Sequence, residues 1–448
     1  MRITGSKIAA MGALTRQAEE EVIDARGFAL LPCLADHHLH LLALAARSES
    51  ITCGPPEINN EAALAHLLKQ HNHGQDWFRG VAYHESVAGI IDRHWLDQHL
   101  PERPARIQHR GGRLWVINSK GLAILASTSN KHLPSGLTEE SGHLYDSDAW
   151  LRQQLASTPP ELSKTSRELA RLGIGLITDM TPQNDPFIVD FLDSQQQNNN
   201  LLQGILIAGQ PSLSKLDRHF QDDRLKIGPT KIHLQEANLP DFDDICELIS
   251  ESHIDGRSVA FHCVTEIELV FALAVLTKTA SIKGDRIEHA SIVPPQLLQS
   301  IYELDLTVVT QPNFILERGD QYLKDIDSEE IPYLYRCKAF VDQEISLAGG
   351  TDAPFGTANP WLAMQAAVSR CSLGGQVINL TEALSPEKAV SLFLGELQEP
   401  AKTRRLAVGA PAHICLLDRN WQQARQALDK VEVIATWRAG QLIHDSVN

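Results

Sequence analysis

SVAFHCVTEIELVFALAVLTKTASIKGDRIEHA, residues 258–290, is the stretch on which the fold turns. Two short runs, SVAFHC (258–263) with Val259 and Phe261 and DRIEHA (285–290) with Ile287, flank a longer helical stretch, and each run carries a histidine near its end. This is the pattern of a βα unit feeding a parallel sheet. Outward from it, the same alternation recurs in GIGLITDM (173–180), GILIAG (204–209), TKIHLQ (230–235), LTVVTQP (306–312) and SLAGGTD (346–352). FALLPCLADHHLH (28–40) precedes these seven as an eighth strand. Eight strands with intervening helices favour a closed (β/α)8 TIM barrel over an open doubly wound sheet.

The segment at about 48–160 is too long for a simple loop and reads as a subdomain inserted after the first barrel strand. Both ends of the chain break into short strand-like pieces with Gly turns, such as LAVGAPAHICLLD and VEVIATWRAGQLIH. The expected organisation is a small β-sandwich domain from 1–30 and 395–448, and a barrel over 31–394. The 448 residues suffice for a barrel of about 250 residues with such additions.

With 43% hydrophobic and 21% charged residues the composition is that of a globular protein. The formal net charge of −16, from 56 acidic against 40 basic residues, disfavours nucleic acid and anionic membrane as partners. The longest apolar run, LVFALAVL at 269–276, is well short of a membrane span, and the N-terminal stretch reads as strand and turn, not as a signal peptide. Seven scattered cysteines without a C-x-x-C pair argue against a disulfide framework and for a reducing, cytoplasmic setting. A small-molecule substrate is the expected partner. Oligomeric state is left open, although barrels often pair.

The most specific local signal is Asp36-His37-His38-Leu39-His40. Side chains on a strand alternate faces, so Asp36, His38 and His40 share one face and His38 and His40 can grip one cation together. Further ligand types fall near the ends of later strands: Lys231 and His233 on the fourth, His262 on the fifth, His289 on the sixth and Asp352 on the eighth. Barrel active-site residues come from the C-terminal ends of several strands, so these positions converge on one mouth. Imidazole and carboxylate suit one or two divalent ions, Zn²⁺ foremost, with Mn²⁺ or Fe²⁺ also fitting.

The pattern resembles the amidohydrolase superfamily, and within it the family-3 type that includes N-substituted formamide deformylase-like and aminoacylase-like enzymes. The resemblance runs from IDARGFALLPCLADHHLH to VGAPAHICLLD, with VINSKGL (116–122), GIGLITD, VAFHCVT, DRIEHAS, TQPNF and TDAPFGTANPW between them. It implies that His38, His40 and Asp352 hold one metal and that His262 and His289 hold a second, with Lys231 as a carboxylated (carbamylated) bridge. Glu236 is the alternative bridge; period-two alternation puts Lys231, His233 and Gln235 on one face and so favours Lys231. The chain departs from the pattern at Cys33, where relatives carry Gly, and at Gly111-Gly112-Arg113, where many carry Asp-Gly-His, which puts the substrate contact made there in doubt.

The expected reaction is hydrolysis of an amide-like, non-peptide C–N bond. A bound divalent metal lowers the pKa of water from about 15.7 toward about 7 and so supplies the nucleophile, while Asp352 takes its proton and passes it to the leaving nitrogen. His84, His109 and Arg113 in the insert, with Gln311, Asn313 and Arg336 after the seventh strand, are candidates for positioning the substrate. Phosphotriester or lactone hydrolysis could use the same centre. Deamination is disfavoured, because no carboxylate follows His262 before Glu266. A glycosidase pair of Glu236 and Glu288 is disfavoured because Glu288 precedes a ligand histidine and should point away from it. A scaffold that has lost its site is disfavoured because every expected ligand type is present.

Overall fold

Eight parallel strands pair in sequence order in the computed structural model, which describes residues 1–446 except 49, 75, 130–132, 156–158 and 217–223. They are β1 (Leu34–Leu39), β2 (Ile174–Asp179), β3 (Gly204–Gly209), β4 (Leu225–His233), β5 (Val259–Cys263), β6 (Arg286–His289), β7 (Thr307–Thr310) and β8 (Ser346–Gly349). The sheet closes on itself through the residues just past β8: Asp352 N donates to His38 O and His40 N to Ala353 O, both at 2.7 Å. Closure requires a glycine at 350, where a Cβ would lie 2.5 Å from His38 Cβ and 2.7 Å from His38 N. The fold is a (β/α)8 TIM barrel.

Strands of a parallel sheet are covered on both faces, and here they read as nearly continuous buried runs. Outward-facing Val259, Phe261, Ile287 and Val308 pack with helix residues Leu269, Leu273, Leu276 and Ile301. The opposite face is different: Ala260 packs with Met180 and Ala208, and the same strands also bury Asp36, His38, Lys231, Arg286 and Glu288. A barrel interior filled with charge must satisfy that charge internally or hold something of opposite sign. β4 begins five residues before the expected Thr230, because Gly228 and Pro229, which read as a break, lie inside the strand.

Leu30–Pro32 pairs not with the barrel but with Ile414–Leu417, in an antiparallel sheet continued by Val433–Arg438 and Gln441–Asp445. A hairpin of Arg2–Thr4 and Lys7–Ala10 joins the same core, which holds Ile8, Ile414, Leu416 and Trp437. Residues Leu42–Glu161 form a second compact unit. Its six-stranded sheet runs in the order Ile51–Thr52, Phe78–Tyr83, Ala105–His109, Leu114–Ile117, His143–Tyr145, Leu137–Thr138, over a core that includes Leu64, Leu68, Phe78, Ile107 and Val116. All seven cysteines are free thiols. Among the described residues no helix is long and apolar enough to cross a membrane.

Candidate functional site

β1 ends at the C-terminal mouth of the barrel with Asp36 and His38 facing inward, and His40 follows one turn of the alternation later. Asp36 is fully buried and stitches β1 to the segment after β8: its Oδ1 accepts from Thr351 N (3.0 Å) and His38 N (3.2 Å), and its Oδ2 accepts from Thr351 Oγ1 at 2.5 Å. Burial pushes its carboxyl up to about 7 against those hydrogen bonds. The same stitch fixes Asp352, whose φ of +55° lies in the left-handed region that a non-glycine residue seldom adopts; His289 is held at +70°. Backbone strain of this kind persists only where the surroundings impose it, and here it falls on two of the site's own side chains.

Three atoms converge. Asp352 Oδ1 lies 3.2 Å from His40 Nε2 and 3.5 Å from His38 Nε2, and among the described residues no well-aligned hydrogen bond reaches it. Two ligand atoms each about 2.1 Å from one tetrahedral cation lie about 3.4 Å apart, so the spacing is that of lone pairs facing a common ion. His38, His40 and Asp352 together satisfy the geometry of a metal-holding group. His289 sits beside them, its ring centroid 4.8 Å from that of His38, and His262 lies 4.4 Å further on.

The ring nitrogens are assigned by their partners. His38 Nδ1 meets Glu288 Oε2 at 2.5 Å; an ionised carboxylate only accepts, so Nδ1 carries the proton and Nε2 is left with its lone pair. Glu288 is itself paired with Arg286, whose Nη2 also donates to His37 O (2.8 Å). Against burial, the charge of Arg286 and the hydrogen bond from His38 hold the Glu288 carboxyl well below its ordinary range. His289 Nδ1 likewise faces Gln311 Oε1 at 2.8 Å, and Gln311 Nε2 is engaged with Val309 O (3.2 Å), which fixes the amide orientation. Burial lowers the pKa of His38 and His262 and takes His289 to about 3, so these imidazoles are neutral near pH 7. Burial alone would raise Asp352, but contact with His40, then His38 and His289, holds it below the usual carboxylate range.

Lys231 and Glu236 part company. Lys231 is buried on β4, and among the described residues its Nζ has no hydrogen-bond partner. Burial lowers its pKa to about 8, and the charges acting on it include Glu288 and Asp352. Glu236 lies beyond the end of β4 in a short 3-10 turn and is exposed. His233 stacks on His262 with ring centroids 4.2 Å apart. His37, on the opposite face of β1, is fully buried, neither ring nitrogen has a hydrogen-bond partner among the described residues, and burial drives it well below its ordinary pKa.

The remaining candidates divide. Gln311 supports His289. Asn313 donates to Thr351 O (3.0 Å) and Glu317 Oε1 (3.2 Å). Arg336 is engaged with Glu382 (3.0 Å) and Val293 O (3.1 Å), and Arg113 pairs with exposed Asp146 through two contacts of 2.7 and 2.6 Å. In the second unit, His84, Glu85 and His109 gather, with His109 Nε2 2.8 Å and His84 Nε2 3.7 Å from Glu85 Oε2. Here Gly111 N donates to His109 Nδ1 (3.1 Å) and Ser86 N to His84 Nδ1 (3.2 Å), so both rings carry their proton on Nε2. Sequence reading did not single out Arg286, and it weighed Glu288 only as a glycosidase carboxylate that should point away from its neighbour, whereas Glu288 meets His38. Their signal was present as two charges at alternate positions of a strand that must be buried on both faces.

The Amidohydrolase family profile matches residues 21–444. The chain is 22% identical to N-substituted formamide deformylase of Arthrobacter pascens, over 99% of its length and 94% of the relative's. It is 21% identical to YtcJ of Bacillus subtilis (strain 168), a protein provisionally assigned as an amidohydrolase, over 95% of this chain and 91% of that one. An uncharacterized metal-dependent hydrolase from Pyrococcus horikoshii OT3 has the same fold, with a TM-score of 0.71 at 21% identity over 90% of this chain and 88% of that one.

Proposed function

Because this chain belongs to the Amidohydrolase family, we propose that it is a metal-dependent hydrolase that opens an amide-like, non-peptide C–N bond at the barrel mouth. In this reading His38, His40 and Asp352 hold one divalent cation, Zn²⁺ before Mn²⁺ or Fe²⁺, and His262, His289 and Lys231 serve a second. The observation that carries it is the meeting of two imidazole Nε2 atoms and one carboxylate oxygen at 3.2 and 3.5 Å. When bound, such a cation polarises a carbonyl and makes water acidic enough to attack at neutral pH.

The protein's own groups do the rest. Asp352 is ionised and so is able to take a proton at Oδ2 and return it to the leaving nitrogen. Glu288 and Gln311 keep the Nδ1 protons of His38 and His289 in place, which holds each Nε2 ready as a ligand. The lowered pKa of Lys231 leaves part of its amine neutral, the form needed for carbamylation into a bridging ligand. The Arthrobacter relative's name supports an amide-type substrate.

Asp352→Asn tests the assignment. With a panel of N-substituted formamides and N-acyl amines as substrates, the variant should keep its fold and most of its metal and lose turnover by a factor of about 10² or more. Full turnover in Asp352→Asn would remove Asp352 from the chemistry.

A further inference from the structure

The helix Asn313–Asp325 follows β7 and carries a cation that the reaction described above does not use. Arg318 lies over the Phe314 ring, its Cζ 3.9 Å from the centroid, and its Nη2 donates to Phe355 O at 2.7 Å. A guanidinium has two donor edges that share Nη2, with one Nη2 hydrogen on each. The bond to Phe355 occupies one of those hydrogens, so the other edge keeps both of its N–H groups. Among the described residues Arg318 makes no other hydrogen bond and no ion pair. Its neighbour Glu317 is turned elsewhere, accepting from Thr357 N (3.0 Å) and Asn313 Nδ2 (3.2 Å). The Arg318 side chain is half-buried.

Two links tie this edge to the imidazole cluster. The residue that receives the Arg318 hydrogen bond, Phe355, also sets its ring edge-on to His40 at 5.2 Å and donates from its N to Asp352 O at 2.8 Å. Asp352 is also one of the charges felt by Arg318: burial works against the guanidinium charge, and Tyr322, Tyr335, Asp352 and Glu317 more than offset it. Anchored on an aromatic face and a carbonyl, the planar fork is fixed before any ligand arrives, which is the arrangement that recognises a carboxylate through two parallel N–H···O bonds. A purely structural prop for Phe355 would need one donor and no open edge.

We propose that Arg318 binds a carboxylate on the substrate, which makes the substrate class a small amide bearing an acid group, with its scissile carbonyl at the cluster of His38, His40 and Asp352. The inference rests on the hydrolase reading and narrows it.

Binding by calorimetry to the metal-loaded full chain tests it, using N-acetylglycine and its neutral counterpart N-acetylglycinamide as probes. Wild-type protein should bind the carboxylate probe about tenfold or more tightly than the amide, as expected for a charge-assisted fork. Arg318→Gln should bring the two within about twofold, and Arg318→Lys, which keeps the charge without the fork, should fall between. Metal content and the thermal midpoint, measured on the same samples, should match the wild type, so a loss of preference is not a loss of fold. Equal binding of both probes by the wild type, binding of neither, or a preference that survives in Arg318→Gln would each overturn the proposal. If metal is bound and the preference is absent, the inference fails alone. If the chain takes up no metal, it is the hydrolase reading that fails.

Discussion

Two clusters in this molecule are built from the same residue types and are chemically opposite. At the barrel mouth, His38 and His289 place their Nδ1 protons on side-chain acceptors, Glu288 and Gln311, and so expose Nε2 lone pairs beside a carboxylate. In the second unit, backbone N–H groups of Ser86 and Gly111 occupy the Nδ1 lone pairs of His84 and His109, so the protons sit on Nε2 and point at Glu85. In the proposed reading the first set accepts a cation, whereas in the second the His109 Nε2 proton is already given to Glu85. Proximity of two histidines and an acid therefore does not identify a metal site, and the partner of the far nitrogen does.

The comparison breaks most visibly at Glu288. Glu288→Gln removes the acceptor-only partner that fixes the His38 proton and leaves the buried Arg286 without its counter-charge. Metal affinity, read by competition with a chelator, should fall about 10- to 100-fold. Stability in urea should fall by about 3 kcal/mol, since a buried charge is left uncompensated. Unchanged affinity would mean that the tautomer of His38 is set by something other than Glu288.

A smaller effect sharpens the other half. The Glu85 carboxyl sits below its ordinary value of 4.5: burial pushes it up, and its own backbone N–H and then His109 pull it down further. A carboxyl whose folded pKa is depressed stabilises the fold above its unfolded pKa, and that contribution is lost as pH falls through the folded value. Acid unfolding below about pH 4.5 should thus begin at slightly higher pH in Glu85→Gln, by an amount worth under about 0.5 kcal/mol for a group this exposed. No shift in the acid limb of a urea-pH series would show that the contact contributes nothing in solution.

The barrel was legible because its signal is local. β2, β3 and β7 announce themselves by short runs containing several β-branched residues bounded by helical stretches, while β5 and β6 carry one each, Val259 and Ile287, and were read from their place in the same alternation. β4 was read short because Gly228-Pro229 carries the marks of a turn, and only pairing with β3 and β5 overrides them. His38, His40, His262, His289 and Asp352 were legible as types at strand ends. What the sequence withheld was long-range: Glu288 was expected to point away from its neighbour His289, and its actual partner, His38, lies 250 positions away. Tautomers are of the same kind, because they depend on which acceptor a fold brings to the far nitrogen. His84 and His109 looked as eligible as any other histidine until Ser86 N and Gly111 N were placed.

On the proposed reading the barrel-mouth cluster holds a cation and the His84 cluster does not. X-ray absorption at the zinc edge of the protein loaded with Zn²⁺ and desalted tests it, with His38→Ala/His40→Ala and His84→Ala/His109→Ala measured beside the wild type. An imidazole shell at about 2.0–2.1 Å is expected in the wild type; its amplitude and the bound zinc should fall in the first variant, where only the His262 and His289 imidazoles remain, and stay unchanged in the second. A wild type that retains no zinc, or a spectrum altered only by the second variant, would contradict it.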